Sequence, residues 1–155
     1  MIESLQHLPH PGCGKAALEQ RFTDLAPPLS ARQAAIESAR CLYCYDAPCT
    51  RACPTEIPIA SFISNIASGN INGAAHSILQ ANILGASCAR VCPTEELCEQ
   101  ACVRNHDEEQ QPVLIGLLQR YALDHAQFPE HPFTRAASTH QRVAVVGAGP
   151  AGLSC

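Results

Sequence analysis

Eight cysteines in two tight groups constrain this chain more than any other feature. The first group is Cys41-x2-Cys44-x4-Cys49-x3-Cys53-Pro54, and the second is Cys88-x3-Cys92-Pro93 followed by Cys98-x3-Cys102. Loops crowded with thiols lack a packed core of their own, so ligand binding must supply part of their folding free energy. The groups echo one another: Cys49-Thr50-Arg51-Ala52-Cys53-Pro54-Thr55-Glu56 resembles Cys88-Ala89-Arg90-Val91-Cys92-Pro93-Thr94-Glu95. Two further cysteines, Cys13 and Cys155, stand apart and read as plain thiols.

Disulfides, zinc and iron–sulfur clusters can each account for so many cysteines. Disulfides belong to oxidising compartments. The start, Met1-Ile2-Glu3-Ser4-Leu5-Gln6-His7, has neither the basic opening nor the apolar run of a secretory signal, so a reducing, cytoplasmic setting is expected. Cys41-x2-Cys44 suits a zinc knuckle. Cys49-x3-Cys53 and Cys98-x3-Cys102 instead place thiols one helical turn apart, unlike the Cys-x2-Cys pairs of zinc ribbons. A 4Fe–4S cluster takes four soft ligands around a compact cube, and in two-cluster ferredoxins the fourth cysteine of a run, followed by proline, ligates the other cluster. The doubled Cys-Pro favours two 4Fe–4S clusters. A zinc-stabilised interaction module with no redox role is the rival from a different class.

Length and charge narrow the rest. A chain of 155 residues makes one ordinary domain. A net charge of −4 and 5% aromatic residues exclude a basic nucleic-acid footprint and stacking platforms for single strands. No apolar stretch approaches the ~20 residues that span a bilayer.

The cysteine groups are set among helices. Residues 1–29 read as irregular, interrupted by Pro9, Pro11, Pro27 and Pro28, with helix over about 16–22. Ser30, with Gln33 three residues on, opens a helix from Ala31 to about Arg40, which delivers the chain to Cys41. After Pro58, the spacing of Ile59, Phe62, Ile63 and Ile66 gives one apolar helix face, ended by Gly69. A helix from about Asn72 to Asn82 turns Ala75, Ile78 and Leu79 inward. A short helix follows Thr94, and a longer one near Pro112 sets Leu114, Leu117, Leu118 and Tyr121 on one side.

Beyond a linker, the character changes. Arg142-Val143-Ala144-Val145-Val146 predicts a short strand, followed at once by Gly147-Ala148-Gly149-Pro150-Ala151-Gly152. A G-x-G-x-x-G turn between strand and helix is the dinucleotide fingerprint: the first glycine makes the turn, the second admits a pyrophosphate, and the third permits close packing. Gly147, Gly149, Pro150, Ala151 and Gly152 are the candidate cofactor-binding residues, with the phosphate on the helix N-terminus. A strand with half a helix has nothing to pair with or pack on, so a fragment of a longer protein is expected. The expected layout is an irregular segment over 1–29, a helical iron–sulfur domain over 30–126, a linker over 127–141, and the start of a truncated α/β FAD-binding domain over 142–155. The fold class is therefore mainly α, with the first strand–turn–helix of an α/β domain appended.

Several segments carry a family likeness: Cys41-Leu42-Tyr43-Cys44-Tyr45-Asp46-Ala47-Pro48-Cys49, Ser61-Phe62-Ile63, Gly73-Ala74-Ala75, Leu84-Gly85 before Cys88, Val91-Cys92-Pro93-Thr94-Glu95, and Ile115-Gly116-Leu117-Leu118-Gln119-Arg120. Over residues 30–155 the chain resembles the N-terminal iron–sulfur domain shared by dihydropyrimidine dehydrogenase and the glutamate synthase small subunit. The similarity is closer to the NAD-dependent dihydropyrimidine dehydrogenase branch.

The resemblance implies a ligand set that includes a glutamine. Cys41, Cys44, Cys49 and Cys102 would hold the first cluster, and Cys53, Cys92, Cys98 and Gln119 the second. Cys88 would be a bystander, whereas spacing alone selects it because it echoes Cys49. The resemblance further implies FAD and NAD(P)H in the full-length protein. It implies an FMN-containing partner subunit that reduces the 5,6 double bond of uracil or thymine, and no catalytic acid or base within this chain. On that footing the protein is part of an oxidoreductase, and the present segment has no turnover alone. A glutamate synthase small subunit-like protein or a ferredoxin:NADP-type reductase subunit shares the architecture.

Overall fold

The computed structural model describes residue 24 and residues 26–155. Cys13 and the expected helix over 16–22 lie outside them. Among the described residues there are seven α-helices and no strand. They are α1 (Ala31–Ala39), α2 (Pro48–Ala52), α3 (Ile59–Ala67), α4 (Ile71–Ala81), α5 (Gly85–Val91), α6 (Ile115–His125) and α7 (Pro150–Ser154), with 3-10 turns at Thr94–Glu96 and Val103–His106.

Local chemistry sets the helix ends. Ser30 Oγ accepts from Gln33 N at 3.3 Å, and Gln33 Oε1 accepts from Ser30 N at 2.9 Å, a reciprocal box that satisfies two orphan N–H groups. Asn70 Oδ1 accepts from Gly73 N at 2.9 Å to cap α4, directly after Gly69 turns the chain at φ +78°.

Helices α3 and α6 form the centre. Each packs on α1 and α4 as well as on the other, while α5 lies on α6 and α2 on α3. Ala34, Phe62, Ile63, Ala74, Ile78, Ile115 and Leu118 fill the space between them, all at or near zero exposure. Burying each larger side chain contributes roughly 1.5–3 kcal/mol relative to leaving it in water.

A polar clamp closes one side. Glu37, itself buried, accepts from Arg40 Nη1 at 2.6 Å and from Leu114 N at 2.9 Å. Arg40 also donates to the carbonyls of Gln111 and Pro112. The clamp fixes the chain entering α6 against the C-terminus of α1.

The apolar face of α6 is rotated from its expected position. Leu114 is 37% exposed and Leu117 half-buried, while Ile115, Leu118, Gln119 and Ala122 are buried. The helix starts at Ile115, so residues 115, 118, 119 and 122 form the i, i+3, i+4, i+7 stripe and Leu114 falls outside it. In α4, Ala74, Ala75 and Ile78 are buried and Leu79 is half-buried.

Residues 142–146 carry no strand, although α7 follows at the expected place. A β-branched run needs a neighbouring strand to form a ladder, and none is present among the described residues.

Candidate metal centre

The thiols collect at two cavities. The first, a recess, is walled by Cys41, Cys44, Cys49 and Cys102. The second is walled by Cys53, Cys88, Cys92, Cys98 and Gln119. Ile59, 2% exposed, borders both and forms their common wall.

Each group reaches its cavity through a tight loop. Cys41 follows the C-cap of α1, and its N–H donates to Ser38 O at 3.2 Å. Tyr43 and Ala47 then take left-handed backbone at φ +51° and +33°. Each such residue costs roughly 1–3 kcal/mol, and strain of this kind gathers where a binding loop must be shaped. Pro48 starts α2 immediately afterwards, so that Cys49 faces the first cavity and Cys53, its C-cap, the second. The second cysteine group mirrors this crossing, with Cys98 on the second cavity and Cys102 on the first.

Gln119 projects from α6 into the second cavity and is 7% exposed. Its Nε2 donates to Gly85 O at 2.7 Å. That bond fixes the amide, because the reverse orientation would set two acceptors against each other. The oxygen Oε1 takes no hydrogen bond from the described residues and is left to the cavity. Cys88 borders the same cavity, with Sγ accepting from Asn82 Nδ2 at 3.1 Å. Asn82 was not anticipated from the sequence. A polar residue just past an apolar helix and six positions before a cysteine was its only signal.

The electrostatics fit a cationic occupant. Burial, and then the neighbouring Cys102 and Cys41, push the Cys49 thiol up to about 11. Burial, then Glu99 and Cys53, push Cys98 up to about 12. Cys41 and Cys92 are raised by burial first and by adjacent thiols next. Thiols that discourage one another from ionising are thiols that a metal would deprotonate outright. Among the described residues, no group of three or more His, Cys, Asp or Glu side chains is arranged to hold a single metal ion. Four soft donors around each cavity fit a multi-iron group by donor type.

Gly147, Gly149, Pro150, Ala151 and Gly152 form one turn. Gly147 has φ +117°, Gly149 is the N-cap of α7, and a Cβ on Gly152 would strike the Gly147 carbonyl oxygen. Glycine is thus required at both ends of the turn. Cys155 is exposed and far in sequence from either cavity.

Helices that bring two sets of thiols to two adjoining cavities define an iron–sulfur domain. The chain belongs to the family described as dihydropyrimidine dehydrogenase domain II, 4Fe–4S cluster, whose model matches residues 18–130. It is 43% identical over 137 residues to the NAD-dependent dihydropyrimidine dehydrogenase subunit PreT of Salmonella typhimurium, covering 87% of this chain and 33% of that protein. The PreT subunit of Escherichia coli K12 matches with the same identity and the same coverage. AegA of Escherichia coli K12 is 36% identical over 161 residues, covering 99% of this chain and 24% of that protein. The chain thus spans a third or less of the length of these curated relatives.

Proposed function

We propose that this chain is the electron-transfer segment of an NAD(P)H- and FAD-dependent oxidoreductase. It feeds an FMN-containing partner subunit, most simply for reduction of uracil or thymine to the 5,6-dihydropyrimidine. The observation that carries this reading is the pair of cavities sharing Ile59, each with at least four soft donors. The PreT name, that of an NAD-dependent dihydropyrimidine dehydrogenase subunit, supplies the substrate class.

Cys41, Cys44, Cys49 and Cys102 hold one 4Fe–4S cluster, and Cys53, Cys92, Cys98 and Gln119 hold the other. When bound, the clusters supply single-electron transfer between the flavin and the partner subunit. The chain's own residues fix where this happens. Ile59 keeps water out of the wall between the cavities, the Gly85 carbonyl orients the Gln119 amide, and the strained loop at Tyr43 and Ala47 shapes the first site. The turn from Gly147 to Gly152 opens the FAD-binding domain after a linker over 127–141, and its helix N-terminus receives the phosphates.

The test is iron, labile sulfide and zinc analysis of the full-length protein purified anaerobically. Two four-iron clusters give about eight irons and eight sulfides per chain in this segment. A colourless, folded protein with stoichiometric zinc would overturn the cluster reading. NADH-dependent consumption of uracil by the full-length protein with its co-expressed neighbour subunit tests the substrate. Turnover of glutamine with 2-oxoglutarate instead would move the protein to the glutamate synthase branch.

A further inference from the structure

We propose that Cys88 is a stand-by ligand of the second cavity, which takes over the iron that Gln119 holds when the amide is displaced. The proposal rests on the cluster reading given above. The second cavity offers four thiols and the Gln119 amide, five groups in all, where a cube with four irons uses four. Two of the five, Gln119 and Cys88, are governed by a single turn of α5. The carbonyl that orients the Gln119 amide belongs to Gly85, and Cys88 follows three residues later on the same helix face.

Gln119 is 7% exposed and lines the cavity, and its Oε1 takes no hydrogen bond from the described residues. A neutral amide oxygen is a hard, weak donor to iron, and a thiolate is a soft, strong one. Cys88 lines the same cavity as Cys92, and its Sγ is held by Asn82 Nδ2 at 3.1 Å. Asn82 is itself fixed, because its Oδ1 accepts from Leu84 N at 2.9 Å. Cys88 is therefore kept at the cavity by one side-chain hydrogen bond, without being committed elsewhere.

The exchange balances without an outside reagent. The Fe–O bond to the amide breaks, an Fe–S bond to Cys88 forms, and the thiol proton leaves to solvent. The oxidation state of the iron does not change. The arrangement protects the second cluster from losing its most weakly held iron.

The experiment compares wild type, Gln119→Ala, Cys88→Ala and the double variant as full-length protein, by iron per chain and by electron paramagnetic resonance after brief air exposure. We expect Gln119→Ala to keep wild-type iron. The double variant should lose one iron per chain and show a three-iron signal. Should Gln119→Ala be insoluble, Gln119→Leu, which conserves volume, is read in the same way. Equal iron loss in Gln119→Ala and the double variant would overturn the stand-by role and leave the proposed ligand set intact. No iron loss in any variant, or loss in Cys88→Ala with Gln119→Ala unaffected, would overturn both.

Discussion

Cys49 and Cys53 stand four residues apart on α2 and its C-cap, yet Cys49 lines the first cavity and Cys53 the second. A single helical turn therefore joins the two proposed clusters covalently, and the non-helical turn from Cys98 to Cys102 forms a second covalent link.

The two substitutions should consequently be separable. Cys49→Ser is expected to empty the first site and Cys53→Ser the second, each lowering iron by up to four per chain while the other cluster's paramagnetic signal remains. Cys155→Ser should lower neither. Loss of both signals from each single variant would mean that the cavities do not act as separate sites.

Packing beneath the second cavity makes a different prediction. A Cβ on Gly85 would come within 2.5 Å of Ile78 Cγ2 and 3.3 Å of Leu123 Cδ1, and Ile78 is fully buried. Gly85→Ala should destabilise the domain by about 1–3 kcal/mol, the usual cost of overpacking. The measurement is the shift in urea midpoint. It should be accompanied by a change in the second cluster's signal, because the Gly85 carbonyl holds Gln119.

The pair between Arg90 and Asp124 predicts a pH dependence. Burial raises the Asp124 carboxyl, but the hydrogen bonds and charges of Arg90 and then Arg120 outweigh it and hold the group below its ordinary value of 3.8. A depressed carboxyl contributes stability that is complete above the unfolded value and is lost as pH falls through the folded one. Wild type should exceed Asp124→Asn by a constant amount near neutrality, no more than about 1 kcal/mol for a part-exposed pair. The gap should close below pH 3.8. Urea unfolding of both proteins side by side tests this, since acid loss of cofactor then cancels. A gap that widens on acidification would refute the assignment.

How much could be read from the sequence depended on which physical signal each element carries. The Ser30 cap and the stripe of Ile59, Phe62, Ile63 and Ile66 are local patterns, and the structure has them where the spacing put them. On α6 the apolar residues are nearly continuous, so periodicity alone did not fix the face. The start at Ile115, set by the Glu37–Arg40 clamp, decided it. Helices α2 and α5 were not anticipated, being short and rich in small residues and cysteine. The expected strand over 142–146 had the right composition, but strand formation depends on neighbours. At the cavities, spacing favoured Cys88 and the family resemblance favoured Gln119. The structure brings both to the second cavity.

The crossed placement of the cysteines also bears on how the protein is made. The first cavity is walled by Cys102 as well as Cys41, and the second by Gln119 as well as Cys53, so neither wall is complete until most of the domain has been synthesised. At about 5–20 residues per second, the interval between Cys49 and Cys102 lasts roughly three to ten seconds. Throughout that interval the first group of thiols has been made and the second has not. On the proposed ligand set, delivery of either cluster would therefore follow translation of the domain rather than accompany it.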